Sequence, residues 1–333
     1  MTVHCCAECG EEGGVSLKTC KSCMLVKYCN ASCQRKHWPK HKKVCKLRAA
    51  ELRDEALFKD PPDKDDCQIC FLPMPQKFFL CASLPPATIS SVPIYDFARA
   101  NEELENHGTA NFYSCCGKSI CTGCTHSFAM TGNKKCPYCN SDRYKTNEEL
   151  LEKLMKRVAV NDAGAICQLA KHHEDANETH RDHAKSTELY SRAANLGCSE
   201  SHFCIGLKYD KAGDLKQAKF HYKAAAMAGH EMARFNLGVY EYNSGNIERA
   251  TKHWTIAASA GNYIAMHELR AFFEREGGNF YGEHIVSRES FDSTLEAYNI
   301  SCVEMRSEAR DVFIRVMLGG ISRSRGGGMS FSR

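Results

Sequence analysis

Sixteen cysteine and histidine positions in the first 139 residues stand at spacings that suit a metal ion. The first set is Cys6, Cys9, Cys20, Cys23, Cys29, Cys33, His41 and Cys45. The second is Cys67, Cys70, Cys115, Cys116, Cys121, Cys124, Cys136 and Cys139. A gap of two residues lets two thiolates of one tight turn reach the same ion, and zinc takes four such ligands in a tetrahedron. Each set of eight therefore predicts two closed zinc sites, four ions in all, with no open position for catalysis. Segments this short bury little apolar surface, so the metals are expected to supply most of the first set's folding free energy. The sequence contains no Gly-x-Ser-x-Gly elbow, no phosphate-binding glycine loop and no His-Glu-x-x-His. Catalysis by the chain's own side chains thus lacks a motif.

The spacing of the first set, with the fillers Tyr28-Cys29-Asn30-Ala31-Ser32-Cys33-Gln34 and His37-Trp38-Pro39-Lys40-His41, resembles the MYND zinc finger. The resemblance implies a cross-brace, with Cys6, Cys9, Cys29 and Cys33 on one zinc and Cys20, Cys23, His41 and Cys45 on the other. Cys5 is then a spare thiol or a register competitor of Cys6, and His37 is structural or exposed. Fingers of this family hold short, often proline-containing peptides, which implies a protein partner and no reaction.

The second set resembles a RING finger of the all-cysteine type. That implies Cys67, Cys70, Cys121 and Cys124 on one zinc, and Cys115, Cys116, Cys136 and Cys139 on the other. The adjacent pair Cys115-Cys116 must splay to reach one ion, and Lys118 stands near a position where a common RING pattern has histidine. If Cys115 is not a ligand, Cys81 or His107 is the substitute. Active ligases of this type hold a ubiquitin-conjugating enzyme with an aliphatic residue in the first zinc loop and a proline in the last. Ile69 and Pro137 occupy those positions here. Asn140, however, stands where such ligases often carry a basic residue, and Arg143 is displaced from it.

At 333 residues the chain has room for two or three domains, and its 21 cysteines need a redox setting. Met1 to Arg48 lacks the apolar core of a secretory signal, and no run of about 18 apolar residues appears. A reducing compartment, cytoplasm or nucleus, is therefore expected, with neither secretion nor a membrane span. The formal charge is +4, with a basic run at Arg35, Lys36, Lys40, Lys42, Lys43, Lys46 and Arg48. Counting zinc ligands as thiolates and adding four zinc dications brings the chain to about −3. The basic run then complements its own metal centres, and nucleic acid is not expected as the main partner.

These centres need elements to hold them and a body to carry them. The predicted organisation is a MYND-type finger at 1–48, a helical linker with an acidic proline break at 49–66, and a RING-like finger at 67–143. The long insertion 71–114 of that finger carries helical spacing at Tyr95 to Asn106. Thr146 with Glu149 fits a capping box that starts a helix. Beyond it an internal period of 32 residues aligns Tyr222 with Trp254, Gly206 with Gly238, Gly213 with Gly245 and Gly229 with Gly261. Tyr190 stands one period before Tyr222, while Leu169 and Ala170 stand 36 before Ile205 and Gly206. Paired helices with small residues at their turns resemble Sel1-like repeats, relatives of the tetratricopeptide class. Three copies are expected over 146–286, with Asn262 to Glu276 opening a fourth.

Phe291, Leu295, Tyr298, Cys302, Met305, Ala309, Val312 and Val316 step by three and four, which predicts one capping helix at 287–318. A Gly, Ser and Arg-rich tail at 319–333 is expected to be disordered. His172, His173, His180 and His183 read as a solvated loop, and Cys167, Cys198, Cys204 and Cys302 as small core residues. The fold class is mainly α: two small cross-brace zinc fingers, then a helical solenoid. Two functions stay open. One is an adaptor with a peptide-binding MYND finger and a protein-binding repeat scaffold; the other is a RING-type ubiquitin ligase whose repeats recruit substrate.

Overall fold

The computed structural model describes residues 5–11, 16–74, 110–175, 182–275, 287–313 and 316. The insertion helix at Tyr95 to Asn106, the thiol of Cys81, His107, His180 and the tail at 319–333 lie outside them. The chain divides into two compact units, Met1–Asp60 and Pro61–Arg333.

In the first unit a short antiparallel ribbon, β1 (Lys18–Thr19) and β2 (Lys27–Tyr28), leads into α1 (Ala31–Leu57). Asn30 caps α1: its side-chain oxygen accepts from the Cys33 amide at 3.0 Å, satisfying an amide that the first turn leaves without a helical partner. The separate linker helix expected after residue 48 is instead the second half of α1, which continues through Pro39 and Cys45 to Leu57. A proline inside a helix removes one ladder hydrogen bond. Here His41, Cys45 and Ala49, on one buried face beyond it, hold the helix to the finger.

The second unit opens with β3 (Ala110–Tyr113), paired antiparallel with β4 (Lys118–Cys121), and then α2 (Thr122–Met130). Thr146 caps α3 (Asn147–Val158) by accepting from the Glu149 amide. Seven helices of 13 residues each follow: α4 (Ala163–Asp175), α5 (His183–Asn195), α6 (Ser199–Lys211), α7 (Leu215–Met227), α8 (Glu231–Asn243), α9 (Ile247–Ser259) and α10 (Tyr263–Arg275). The starts of α6, α8 and α10 are 32 residues apart, and α4 precedes α6 by 36. These are the helical hairpins the period predicted, α4 with α5, α6 with α7 and α8 with α9, and the first turn is the longer one. Gly213 and Gly245, both at φ +78°, make the tight turns inside the second and third hairpins.

Small residues set the helix approach. A Cβ on Gly206 would sit 2.6 Å from the ring of Tyr222, and one on Gly238 would sit closer still to the indole of Trp254. Tyr190, Tyr222 and Trp254 are accordingly buried. Gly206→Ala tests this. Alanine is favoured over glycine in a helix by about 1 kcal/mol, whereas overpacking costs about 1–3 kcal/mol. We expect the clash to win and Tm to fall, a result that unchanged or higher thermal stability would contradict.

The place of a fourth second helix is taken by α11 (Arg288–Glu304), whose Phe291, Tyr298 and Cys302 join the core of Trp254, Tyr263, Met266 and Leu269. The continuous capping helix expected to 318 does not form. Helix α11 stops at Glu304, a turn follows at Met305, and a second helical stretch runs over 308–313. Ser307 begins that stretch, its hydroxyl accepting from the Arg310 amide at 3.2 Å. The rotation this break introduces buries Arg310 and Phe313 and leaves Val312 and Val316 exposed.

Candidate metal centres

The structure brings the sixteen candidate ligands together in four groups. Within each of Cys6-Cys9-Cys29-Cys33, Cys20-Cys23-His41-Cys45, Cys67-Cys70-Cys121-Cys124 and Cys115-Cys116-Cys136-Cys139, all donor atoms lie within 4.8 Å of one another. A tetrahedron with Zn–S of about 2.3 Å has S···S edges of about 3.8 Å, and a disulfide would draw two sulfurs to about 2 Å. The edges here are 3.6 Å for Cys9–Cys29, 3.4 Å for Cys29–Cys33, 3.8 Å for Cys20–Cys45, 4.0 Å for Cys70–Cys121, 3.9 Å for Cys116–Cys136 and 3.5 Å for Cys115–Cys139. The Cys23 sulfur lies 3.2 Å from His41 Nε2. The donor sets thus fit zinc in size and chemistry.

One backbone device recurs at each centre. After the second cysteine of the pairs Cys6/Cys9, Cys20/Cys23, Cys67/Cys70 and Cys136/Cys139, the chain turns left-handed, at Gly10, Met24, Phe71 and Asn140, with φ between 55° and 73°. The amide of each of these four residues donates to the carbonyl of the first cysteine at 2.9–3.0 Å. Three of the four are not glycine, so the turn is held against its ordinary preference. In the second finger each turn is closed by an antiparallel bridge, Asp66 with Pro73 and Lys135 with Asp142. The other ligand pair of each centre comes from regular elements: the start of α1, its buried face, the β4–α2 junction, and the β3–β4 turn. In that last turn both Cys116 and Gly117 donate to the Tyr113 carbonyl, which is how the adjacent pair Cys115-Cys116 is splayed.

His37, left structural or exposed by the sequence, is structural. It bonds the Tyr28 hydroxyl at 2.9 Å and stacks on the His41 ring at 5.6 Å between centroids. Burial first, and then the nearby sulfurs of Cys20, Cys23 and Cys45, push the Tyr28 hydroxyl up to about 12, so it keeps its proton. Cys5 belongs to none of the four groups. His172, His173 and His183 likewise form no such group among the described residues. Cys167 and Cys302 are buried and Cys198 and Cys204 half-buried in the repeats.

Charge explains how such sites load. One thiolate per centre is stabilised: backbone amides lower Cys6 to about 6, the Ser141 hydroxyl lowers Cys139 to about 6, and against the opposing effect of burial the His41 ring lowers Cys20 to about 6 and backbone amides lower Cys67 to about 7. Others move the opposite way. A hydrogen bond with Cys29 holds Cys33 up to about 12, burial raises Cys45 to about 12, and burial likewise raises Cys115, Cys116, Cys121 and Cys124. Those six thiols carry protons at neutral pH that zinc must displace. Zinc titration of the metal-free chain in weak buffer at pH 7 should therefore release at least six protons per four ions. Affinity should rise with pH, and proton-neutral binding would contradict the assignment.

Sequence reasoning missed two residues with long-range partners, Arg310 at the metal centres and Lys64 at the repeats. The Arg310 guanidinium reaches the sulfurs of Cys121 and Cys70 at 3.3 and 3.5 Å. Lys64 pairs with the buried Glu231 at 2.6 Å and donates to the Ala260 carbonyl. No local spacing marks either one, since both partners are distant in sequence.

Residues 6–45 match the MYND finger family, so the chain carries a MYND zinc finger followed by a helical-repeat solenoid. Among curated proteins it is similar to Tudor domain-containing protein 1 of Oryzias latipes, 37% identical over 65 residues, which are 20% of this chain and 5% of that protein. It is also similar to human histone-lysine N-methyltransferase SMYD3, 50% identical over 34 residues, 10% of this chain and 8% of that protein. The chain thus spans a small fraction of the length of these relatives. Among solved structures, a Sel1 repeat protein from Oxalobacter formigenes aligns with 57% of this chain and 80% of its own at 17% identity and a TM-score of 0.37. A protective antigen of uropathogenic Escherichia coli with an SLR fold aligns with 57% and 46% at 15% identity and a TM-score of 0.36. None of the described helices is long and apolar enough to cross a membrane.

Proposed function

We propose that the sixteen grouped residues hold four zinc ions, and that the chain is an adaptor that grips a short peptide with its MYND finger and a protein partner with its repeats. The observation that carries the reading is a set of exposed apolar side chains on an otherwise charged finger. Met24, Leu25, Trp38, Val44 and Leu47 are all exposed, while the finger's interior is spent on its ligands and Tyr28. Such side chains on a metal-stiffened scaffold suit a short proline-containing peptide, since a rigid site limits the entropy lost on binding. Trp38 is 41% exposed and the other tryptophan, Trp254, is 3% exposed, so a change in the emission of exposed tryptophan reports on the finger. A peptide library screened on the full chain should select proline-containing sequences that quench or shift Trp38 emission. Trp38→Ala should weaken them at least about tenfold with zinc content unchanged. Equal selection by Trp38→Ala would reject the surface.

The RING-type ligase is the second reading, supported by the 40% exposure of Ile69 at the tip of the first knuckle, with Pro137 half-buried on the last. Asn140, at φ +57°, is committed to the knuckle turn. Ubiquitin transfer with a panel of conjugating enzymes, lost in Ile69→Ala with Pro137→Ala at constant zinc content, would establish it.

A further inference from the structure

Arg310 has no exposed surface, yet its guanidinium cannot shed its charge. Five acceptors account for the whole fork. Nε donates to Cys121 Sγ at 3.3 Å, Nη1 to the carbonyls of Met305 and Pro73 at 2.6 and 3.0 Å, and Nη2 to Cys70 Sγ and the Leu72 carbonyl at 3.5 and 3.4 Å. No carboxylate is among them. The nearest acid in sequence, Asp311, is paired with Arg306. Among the bonded acceptors of Arg310, the sulfurs of Cys70 and Cys121 are the groups that can carry negative charge.

Four thiolates around one zinc dication carry a net charge of −2, and a buried cation bonded to two of them offsets part of that. The approach is built into the backbone as well. A Cβ on Gly123, in the helix that carries Cys124, would lie 2.6 Å from the Arg310 main chain, so only glycine admits the segment. Phe313 then meets the His126 ring at 5.6 Å between centroids, and Met305 lies under the Gly261 turn. At the companion centre of Cys115, Cys116, Cys136 and Cys139, Arg157 lies beside Gly117 but is bonded to Asp162.

We propose that Arg310 is the outer-shell cation of the centre at Cys67, Cys70, Cys121 and Cys124, so that metal loading there and docking of residues 305–313 are a single coupled event. The inference rests on the four-zinc reading. Its consequence is reciprocal. Metal withdrawal dissolves the fixed sulfur cage that Arg310 bonds and releases the segment, and loss of the arginine leaves an over-charged centre that gives up its metal sooner. Arg310 here is a positioning residue and not a ligand.

The test uses the full chain loaded with zinc, its ions counted by native mass spectrometry and their transfer to a chromogenic chelator followed in time. Arg310→Met should release one of four ions about 10–100-fold faster, the range for outer-shell partners of metal ligands, and leave the other three at wild-type rates. Arg310→Lys, able to reach one sulfur, should fall between. Gly123→Ala displaces the same arginine without altering it and should reproduce the fast phase, which keeps the test decisive if Arg310→Met folds poorly. Hydrogen exchange over 305–313 should rise when the wild type is stripped of metal. Fewer than four ions on the wild type would overturn the zinc reading itself. Four ions with unchanged release from Arg310→Met and Gly123→Ala, or a segment that stays protected in the stripped protein, would overturn the coupling alone.

Discussion

Cys23→Ser is expected to unfold the first compact unit while the helical repeats remain folded. The core of that unit consists of Cys6, Cys20, Cys23, Tyr28 and Cys45, with small contributions from residues such as Ala7, Leu17 and Val26. Most of its buried volume is ligand, so little hydrophobic free energy remains without metal. Structural zinc in fingers of this size is worth about 10–16 kcal/mol at neutral pH, and serine is a poor substitute for a thiolate. The repeats draw on another source, continuous clusters of buried aliphatic and aromatic side chains that need no ion. Native mass spectrometry should show the loss of at least one zinc, and hydrogen exchange should show lost protection over 16–57 with α4 to α9 unchanged. Four retained ions and a protected α1 would remove Cys23 from the ligand set.

Lys64→Met should destabilise the second unit by about 3–5 kcal/mol at pH 7, the cost of removing one partner from a buried ion pair. Lys64 is itself largely buried and reaches Glu231 Oε1 at 2.6 Å. Burial raises the Glu231 carboxyl, and the charge of Lys64 restrains that rise. Without the lysine the carboxyl moves further up, and the sign of the pH effect follows. A carboxyl raised in the folded state binds more protons folded than unfolded, so stability is fullest below the ordinary carboxylate range and falls as pH rises through the elevated one. Denaturant melts of Lys64→Met should therefore show stability recovering as pH is lowered from 8 toward 5. Lys64→Met with Glu231→Met should recover much of the loss at pH 7, because an apolar pair can replace a buried ionic one. Equal stability of wild type and Lys64→Met at pH 7 would show that the pair contributes nothing.

Features of this chain encoded by local spacing were legible in the sequence. The two-residue gaps group the sulfurs, and the 32-residue period sets the 13-residue helices, with the second and third hairpins repeating one packing problem, an aromatic ring over a glycine. Where the sequence misled, a distant partner decided. The apolar stripe past Phe291 looked continuous, but burying Arg310 against Cys121 requires the chain to break after Glu304. The left-handed turns at Met24, Phe71 and Asn140 carry none of the glycine that would announce them, because cysteine geometry imposes them. The helical linker expected after residue 48 is part of α1, whose one face carries both His41 and Cys45 and runs on to Leu57.

Stacked hairpins that touch only their neighbours can fray from either end. In this array the ends are tied. Phe112 of the β3–β4 hairpin packs against Gly164 at the start of α4, and the finger that holds this hairpin accepts Arg310 from beyond the last repeat. The bond from Arg310 to Cys70 spans 240 residues and closes the chain into a loop containing every repeat. Closing so long a loop carries an entropic cost that must be met before the contact gives anything back, so folding is slowed by topology although every hairpin is local. Once closed, neither terminal repeat can peel away alone, and a stack of separable hairpins becomes one cooperative body.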